Sequence, residues 1–185
     1  MSGRTDVRQL PGETGIWVFI LTDLLLFGLY FVLAQCDHVR APWAFQAGKA
    51  ELSIALGTAN TLLLLAGSWA VAMGTRVVQD ARQAGRCLGL AAFSGVLFLA
   101  LKAFEWHRHL SQGHRIDENP FQTWYFFLTG FHALHVIGAT LWLAALARRL
   151  TAGRASSTVV MEAAGCYWHL VDLLWIGIFL VIYVL

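Results

Sequence analysis

Two short stretches of the chain place ionisable side chains inside segments that are otherwise apolar. His132 and His135 lie three residues apart in TGFHALH, and His169 and Asp172 lie three residues apart in YWHLVDLLW. Such groups can ligate haem or a metal ion, move protons, or hydrogen-bond a neighbouring helix. Because an ionisable group costs free energy in lipid, each of these positions is a candidate functional site.

The first pair is flanked by small residues. Gly130 and Gly138 lie on either side of His132 and His135, and glycine lets a neighbouring helix come close enough for its backbone to accept a hydrogen bond from imidazole. We therefore interpret both side chains as hydrogen-bonded packing histidines. Haem ligation is the alternative, but it needs histidines on facing helices at matched depth, and His169 is predicted to lie nearer the cytoplasmic side.

The second pair has the spacing of direct helical neighbours. His169 and Asp172 are predicted to hydrogen-bond each other and to form a buried polar pair that anchors the last helix. Glu162 precedes them on the same segment, toward the cytoplasm. Because no third and fourth ligand is apparent, we predict no metal site there.

A single carboxylate lies deep in the first apolar run. Asp23 is about eight residues into that run and is predicted to face the bundle interior, since a central Asp costs about 2.5–3.5 kcal/mol on insertion. A neutral, hydrogen-bonded Asp, a proton-handling carboxyl and a contact with a lipid headgroup or partner remain open.

Further charged groups lie near the outer end of the third run. Lys102 and Glu105 stand three residues apart, which predicts mutual pairing near the interface. The loop that follows mixes imidazoles and carboxylates, which could bind a metal ion adventitiously but which we interpret as solvated: His107, His109, His114, Asp117 and Glu118.

The elements that must position these residues are membrane helices. Of the 185 residues, 58% are hydrophobic and 13% are charged. Spanning about 30 Å of hydrocarbon takes about 20 helical residues. Backbone groups in lipid must be satisfied within the segment, so each apolar run is predicted to be helical. We predict one all-α, polytopic transmembrane domain over 1–185, a bundle of five helices at about 15–35, 54–75, 86–106, 123–147 and 167–185.

Charges in the connecting segments predict the orientation of this bundle, because cytoplasmic loops carry an excess of Lys and Arg. One side holds Arg4, Arg8, Arg76, Arg82, Arg86, Arg148, Arg149 and Arg154. The other side holds Arg40, Lys49, Arg108 and Arg115. We predict a cytoplasmic N-terminus and a periplasmic C-terminus, in a multi-pass protein of the bacterial inner membrane.

The sequence lacks the common catalytic motifs. It contains no HExxH, no GxSxG and no Walker loop. Its net charge is only +2, with no basic patch interleaved with exposed aromatics, so nucleic acid is not a predicted partner. We therefore predict no catalytic, cofactor-binding or metal-binding residues in this chain.

Two longer stretches resemble a known family. FLTGFHALHVIGATL and GCYWHLVDLLWIGIFLVIY are similar to subunit III of the haem-copper respiratory oxidases, in which a TGFHxxHV helix precedes an acidic residue and a YWHFVDxxW helix. Glu162, His169 and Asp172 fall on this pattern. LALKAFEWHRH resembles the family's stretch that ends in a Ser-Glu-Tyr signature, which puts Glu105 on the family's glutamate.

The N-terminal part resembles a subgroup of that family. Asp23 lies where oxidase subunits usually carry Glu, and the opening LPGETGIWVFI and the short, five-helix length look most like NorE-type accessory proteins of nitric oxide reductases. The family's buried carboxylate has been discussed in connection with proton uptake, so the resemblance makes Asp23 the main mechanistic candidate.

The resemblance implies a non-catalytic subunit with no haem or copper of its own. Such a subunit packs beside a haem-copper catalytic subunit, either oxidase subunit I or the nitric oxide reductase large subunit. It carries bound phospholipid and supports the stability and sustained turnover of that partner. Two other functions stay open from the residues alone: a haem-binding membrane anchor that transfers electrons itself, and a free-standing proton or small-molecule channel.

Overall fold

The computed structural model describes residues 14–154 and 156–185, which are almost entirely helical. Arg4 and Arg8, used above for orientation, lie outside the described residues. The described ranges contain six α-helices: α1 (Thr14–Arg40), α2 (Pro42–Glu51), α3 (Ile54–Arg76), α4 (Ala81–Ser111), α5 (Pro120–Thr151) and α6 (Thr158–Phe179). All but α2 belong to segments long and apolar enough to cross a membrane, so this part of the chain holds five candidate spans. The prediction of an all-α fold with five spans is confirmed.

Several helices extend beyond the apolar runs that predicted them, because polar caps set their ends. α4 begins at Ala81 instead of about 86, since the Asp80 carboxylate accepts a hydrogen bond from the Gln83 amide at 3.0 Å. α6 begins at Thr158 instead of about 167, where the Ser157 hydroxyl accepts from the Val160 amide at 3.3 Å. Both extensions lie at the same end of the bundle, where α3 and α5 end, and they place Arg82, Arg86 and Glu162 on helices.

A short helix, α2, occupies what the sequence suggested was a loop. Pro42 lies in its first turn, a position where proline costs no helical hydrogen bond. Its buried face carries Ala44, Phe45 and Gly48. Gly48 lies directly against the ring of Phe121 at the start of α5, where any β-carbon would clash. This close approach fixes α2 across one end of the bundle.

The central helix of the bundle is α4, which lies between α3 and α5, and α6 packs against both α3 and α5. Small residues make the close approaches possible. Gly67 of α3 faces Ser94 of α4 and the indole of Trp168, and Gly95 of α4 faces Thr140 of α5 and the same indole. Packing through small residues is the usual way in which membrane helices associate, since lipid tails are as apolar as the side chains.

The outer surface of the bundle is apolar. α1 is the least buried of the five candidate spans, and it contacts the rest of the bundle mainly through α6. Large side chains such as Leu21, Leu25 and Leu29 are more than half exposed along it. In a helix that crosses a bilayer, such a face contacts lipid or a partner subunit.

The last described turn of the chain is π-helical. Leu180–Val184 follows α6 with wider winding, and the Leu185 amide donates to the Leu180 carbonyl at 2.8 Å, an i to i+5 hydrogen bond. Three consecutive side chains, Val181, Ile182 and Tyr183, are buried in this turn. The turn therefore directs Tyr183 inward, toward α4.

Candidate functional site

A lysine and a glutamate pair inside the bundle. Lys102 and Glu105 lie one turn apart on α4 and are 1% and 2% exposed. The Lys102 Nζ donates a hydrogen bond to Glu105 Oε2 at 3.0 Å. The predicted pairing is confirmed, but both side chains are fully enclosed by protein instead of lying at an interface. A buried ion pair is retained only when its remaining hydrogen-bonding atoms are also satisfied.

A tyrosine from the π-helical turn completes this pair. Lys102 Nζ donates to Tyr183 Oη at 2.6 Å, and the Tyr183 hydroxyl donates to Glu105 Oε1 at 2.6 Å. The three groups form a closed ring of hydrogen bonds that joins α4 to the end of the last span. One positive and one negative charge meet there, so the ring can be buried without net charge. We refer to Lys102, Glu105 and Tyr183 as the buried triad.

Aromatic rings surround the ammonium group of the triad. The Lys102 Nζ lies 5.1 Å from the ring centres of Tyr125 and Trp175 and 5.2 Å from that of Tyr183. A cation over an aromatic face gains about 2 kcal/mol when desolvated, which offsets part of the cost of burying it. The buried triad can therefore hold α4 and the end of the last span together.

A second charged contact joins α1 to α5. Asp23 is 7% exposed, and its Oδ2 lies 3.2 Å from Nε2 of the half-buried His135. The ring is not aligned for a hydrogen bond to that oxygen, so the contact is electrostatic. His135 Nδ1 lies 2.9 Å from the Phe131 carbonyl, which can only accept, so this nitrogen carries a proton.

That hydrogen bond fixes how many protons the contact between Asp23 and His135 needs. With Nδ1 protonated, a neutral ring presents a lone pair at Nε2 to the carboxyl oxygen. Two acceptors facing each other repel, so a second proton is required, either on the imidazole or on the carboxyl. In both arrangements the pair is neutral overall, which suits its burial in an apolar bundle. Asp23 therefore faces the bundle interior, as expected, with His135 as its partner.

His132 has a different environment from its neighbour. It is fully buried, and both ring nitrogens lack a hydrogen-bond partner among the described residues, so the expected hydrogen-bonded packing is wrong for this side chain. Its ring instead packs against Phe98 and Trp175, at centroid distances of 5.5 and 5.3 Å. His132 and His135 thus have different neighbours, since His135 packs against Phe27 and Phe131 instead.

The expected pair on α6 does not form. His169 is exposed on the isolated chain, and its Nδ1 pairs with the Ser68 hydroxyl of α3 at 2.5 Å. Asp172 is 5% exposed, and neither of its oxygens has a hydrogen-bond partner within the described ranges. The prediction of a direct hydrogen bond between His169 and Asp172 is therefore wrong, because the histidine ring reaches across to the neighbouring helix. His169 still links α6 to another helix, because its partner Ser68 lies on α3.

Glu162 lies near the start of α6. It lines a cavity of about 300 Å³ together with Arg76, Cys166 and His169. Arg76 ends α3 and Glu162 lies in the first turns of α6, so the cavity opens where these two helices meet. Its lining combines a cationic, an acidic and an imidazole side chain with apolar atoms.

Tryptophan side chains make further contacts that the sequence did not reveal. An indole N–H removed from water usually finds an acceptor, and three buried or partly buried indoles here donate to a different helix. The donor and acceptor pairs are Trp175 with Thr61 at 3.0 Å, Trp106 with Thr129 at 3.1 Å, and Trp124 with Asp37 at 2.9 Å.

The segment expected to be a solvated loop is partly helical and partly buried, because α4 continues to Ser111 and includes His107 and His109. His109 is 3% exposed, and His114 lies between two carboxylates, with Nε2 3.1 Å from Glu51 and Nδ1 3.2 Å from Glu118. His107 and Asp117 are exposed. Glu51 belongs to α2, a helix that the apolar runs did not predict, so this cluster was not predicted either.

Comparisons with known proteins decide the family. Residues 9–185 match the cytochrome c oxidase subunit III family. The chain is 32% identical over 189 residues to cytochrome c oxidase subunit 3 of Synechocystis sp., an alignment that covers 99% of this chain and 78% of the relative. The chain belongs to the cytochrome c oxidase subunit III family.

Other members of the subunit III family show similar agreement. The chain is 30% identical over 177 residues to cytochrome c oxidase subunit 3 of Thermostichus vulcanus, covering 92% of this chain and 86% of the relative. It is 28% identical over 174 residues to cytochrome bo(3) ubiquinol oxidase subunit 3 of Pseudomonas aeruginosa, covering 92% and 83%. The resemblance to oxidase subunit III is therefore confirmed, and the five candidate spans belong to a multi-pass membrane protein.

Within this subunit III fold, the polar residues singled out from the sequence do not converge on one centre. Glu105 belongs to the buried triad, Asp23 contacts His135, and Glu162 lines the cavity at the end of α3. Of the triad, Tyr183 was missed, although Lys102 inside an apolar run signalled that polar or aromatic partners must lie on facing helices.

Proposed function

We propose that this chain is a non-catalytic subunit of a haem-copper respiratory complex, which stabilises the catalytic subunit and sustains its turnover. The observation that supports this most is the closed buried triad, whose charged groups are used to join helices of the same chain. Asp23 with His135, and His169 with Ser68, add two more contacts of this kind. Haem and copper would be held by the partner subunit.

The proposed partner is oxidase subunit I or a nitric oxide reductase large subunit. The relatives are named as subunits of a cytochrome c oxidase and of a ubiquinol oxidase. Asp23, in place of the Glu usual in oxidase subunits, favours the nitric oxide reductase branch. The exposed apolar face of α1 supplies surface for such a partner or for lipid. We place the protein in the bacterial inner membrane, with a cytoplasmic N-terminus and a periplasmic C-terminus.

We also propose that the chain binds phospholipid. The cavity where α3 and α6 meet carries Arg76, Glu162 and His169 beside apolar atoms, so a headgroup phosphate can pair with Arg76 while the acyl chains lie outside. Native mass spectrometry of the purified chain should detect retained phospholipid, and Arg76→Ala should reduce it. The matched control is Arg108→Ala at the other end of the bundle, which should retain the wild-type amount.

Purification from the native membrane tests the partner. The tagged chain, extracted in mild detergent, is expected to bring down a haem-bearing protein. Its deletion should make oxygen or nitric oxide reduction decline faster during sustained turnover, with the initial rate less affected. Re-expression of the wild-type chain is the control. If no haem protein is recovered and both reductase activities are unchanged by deletion, the proposal is wrong.

The two other functions make different predictions for the isolated chain. A haem-binding anchor would show a Soret band that depends on His132, His135 or His169. A free-standing channel would give proton or small-molecule flux through liposomes containing this chain alone, abolished by Asp23→Asn. A positive result in either assay would replace the proposed function.

A further inference from the structure

Three ligating side chains from separate segments meet at the end of the bundle that carries α2. Glu51 is the last residue of α2, His109 lies in the final turn of α4, and His114 lies in the loop that follows. One donor atom from each lies within 4.8 Å of the other two. A carboxylate and two imidazoles form one of the recurrent three-ligand sets for zinc.

The position of His114 between two carboxylates requires a proton or a metal ion on each side of its ring. Its Nδ1 lies 3.2 Å from Glu118 Oε2, which also accepts from the Arg115 amide at 3.2 Å. A proton on Nδ1 satisfies that side of the ring and leaves a lone pair on Nε2, which lies 3.1 Å from Glu51 Oε2. A lone pair facing a carboxylate is stable only if a proton or a metal ion lies between them.

His109 provides the second, independent observation. It is 97% buried, since only 3% of its surface is exposed, and its Nδ1 has no hydrogen-bond partner among the described residues. Its ring packs against Tyr125, at a centroid distance of 5.2 Å, and against His114, at 5.7 Å. Burying an unpaired imidazole nitrogen costs free energy, which a bound cation at this cluster would recover.

We propose that Glu51, His109 and His114 bind a divalent transition-metal ion of the zinc class. Glu118 would not contact the ion itself but the other ring nitrogen of His114. A carboxylate in that position fixes the tautomer and orientation of a ligating histidine. Imidazole ligands favour zinc over magnesium or calcium, which prefer oxygen alone. Ligand atoms around tetrahedral zinc lie roughly 3.3–3.5 Å apart. Side-chain rotations that move the donor atoms by about an ångström would bring the three ligands to that spacing.

The consequence of this site is mechanical. The ion would tie the end of α2, the end of α4 and the following loop together, one turn of α4 beyond Glu105 of the buried triad. With three protein ligands, a fourth position stays open to water or to a group from another chain. The site would thus hold together the end of the bundle that α2 covers.

Metal titration of the purified full-length chain tests this proposal. The protein, carrying no polyhistidine tag, is stripped with chelator and titrated with Zn²⁺ against a chromophoric competitor, and with Co²⁺ by visible absorption. We expect one equivalent of Zn²⁺ and tetrahedral Co²⁺ bands. His109→Ala should weaken binding by at least 100-fold, and Glu118→Gln by about 10- to 100-fold, the range for lost second-layer carboxylates. His107→Ala, an exposed histidine on the same helix, should bind as wild type does.

Folding of the variants is checked by helical circular dichroism and by a single size-exclusion peak. Glu118→Gln keeps all three ligands, so its weaker binding does not depend on whether His109→Ala folds. Added Zn²⁺ should raise the denaturation temperature of the wild type and of His107→Ala, with no shift in His109→Ala. Absence of one-to-one binding in the wild type, or equal affinity in His109→Ala, would overturn the proposal.

Discussion

Removing one hydroxyl from the buried triad should destabilise the bundle measurably. Tyr183→Phe deletes the group that accepts from Lys102 at 2.6 Å and donates to Glu105 at 2.6 Å, while the ring over the ammonium stays in place. Hydrogen bonds to charged groups contribute about 1.5–3 kcal/mol each, so two set an upper bound of about 3–6 kcal/mol.

Contacts made by the unfolded chain reduce the expected loss below this upper bound. Interhelical hydrogen bonds in membrane proteins average about 0.6 kcal/mol and reach about 1.7, because the unfolded chain in detergent finds other partners. Lys102 and Glu105 lie one turn apart on α4, so they can still pair there when the tertiary structure is lost. The folded chain, however, holds both charges away from water. We expect Tyr183→Phe to lower the free energy of unfolding by about 1–3 kcal/mol.

Reversible unfolding in mixed micelles, followed by circular dichroism and tryptophan fluorescence, measures this loss. Tyr30→Phe is the matched control, since Tyr30 is a partly buried tyrosine that packs through its ring, 4.9 Å from Phe127. It should change the free energy of unfolding by less than about 0.5 kcal/mol. If Tyr183→Phe is no more destabilising than Tyr30→Phe, the triad does not fasten the last span to α4 and the reasoning fails.

The remaining predictions use the same unfolding assay. Lys102→Met should cost about 3–5 kcal/mol, because it leaves its partner carboxylate buried without a cation; a loss below about 1 kcal/mol would show that the carboxylate is already neutral. Asp23→Asn should change the free energy of unfolding by less than about 1 kcal/mol, since the amide can donate to His135 Nε2. His135→Leu should cost about 1–3 kcal/mol, because it leaves the Asp23 carboxyl unpaired. Equal losses in the two variants would contradict the contact between Asp23 and His135. Gly67→Ala should cost about 1–3 kcal/mol, because the added methyl group clashes with Ser94. Gly28→Ala, with open space around its α-carbon, should stabilise α1 by about 0.5–1 kcal/mol. A tolerated Gly67→Ala would refute the close packing of α3 on α4.

The spans were predictable because lipid imposes one rule on the whole chain. Any apolar run of about 20 residues in a bilayer must be helical, so the five spans follow from composition alone. α2 was not predictable in this way, since it has only ten residues and its few apolar side chains cover the end of the bundle. The helix ends depended on the caps Asp80 and Ser157, which the apolar runs do not contain.

The candidate residues could be identified because an ionisable side chain costs free energy in lipid, but their partners could not be predicted. The spacing of Lys102 and Glu105 predicts a local pair, while Tyr183 lies 78 residues beyond Glu105 and nothing in the sequence connects them. Equal spacing failed for His169 and Asp172, because a hydroxyl on α3 competes for the imidazole. Periodicity shows which side chains can meet on one helix, but it cannot show which contact is made across two helices.

The separation between the members of the buried triad bears on how the chain is made. Lys102 and Tyr183 are 81 residues apart, so at a synthesis rate of about 5–20 residues per second roughly 4–16 s pass between them. During that interval α4 enters the membrane before the tyrosine exists. Glu105, one turn away, is available as soon as α4 has formed, so the pair can be inserted with its charges balanced. The local pair can thus balance its charges before the last span is made, and Tyr183 completes the triad afterwards.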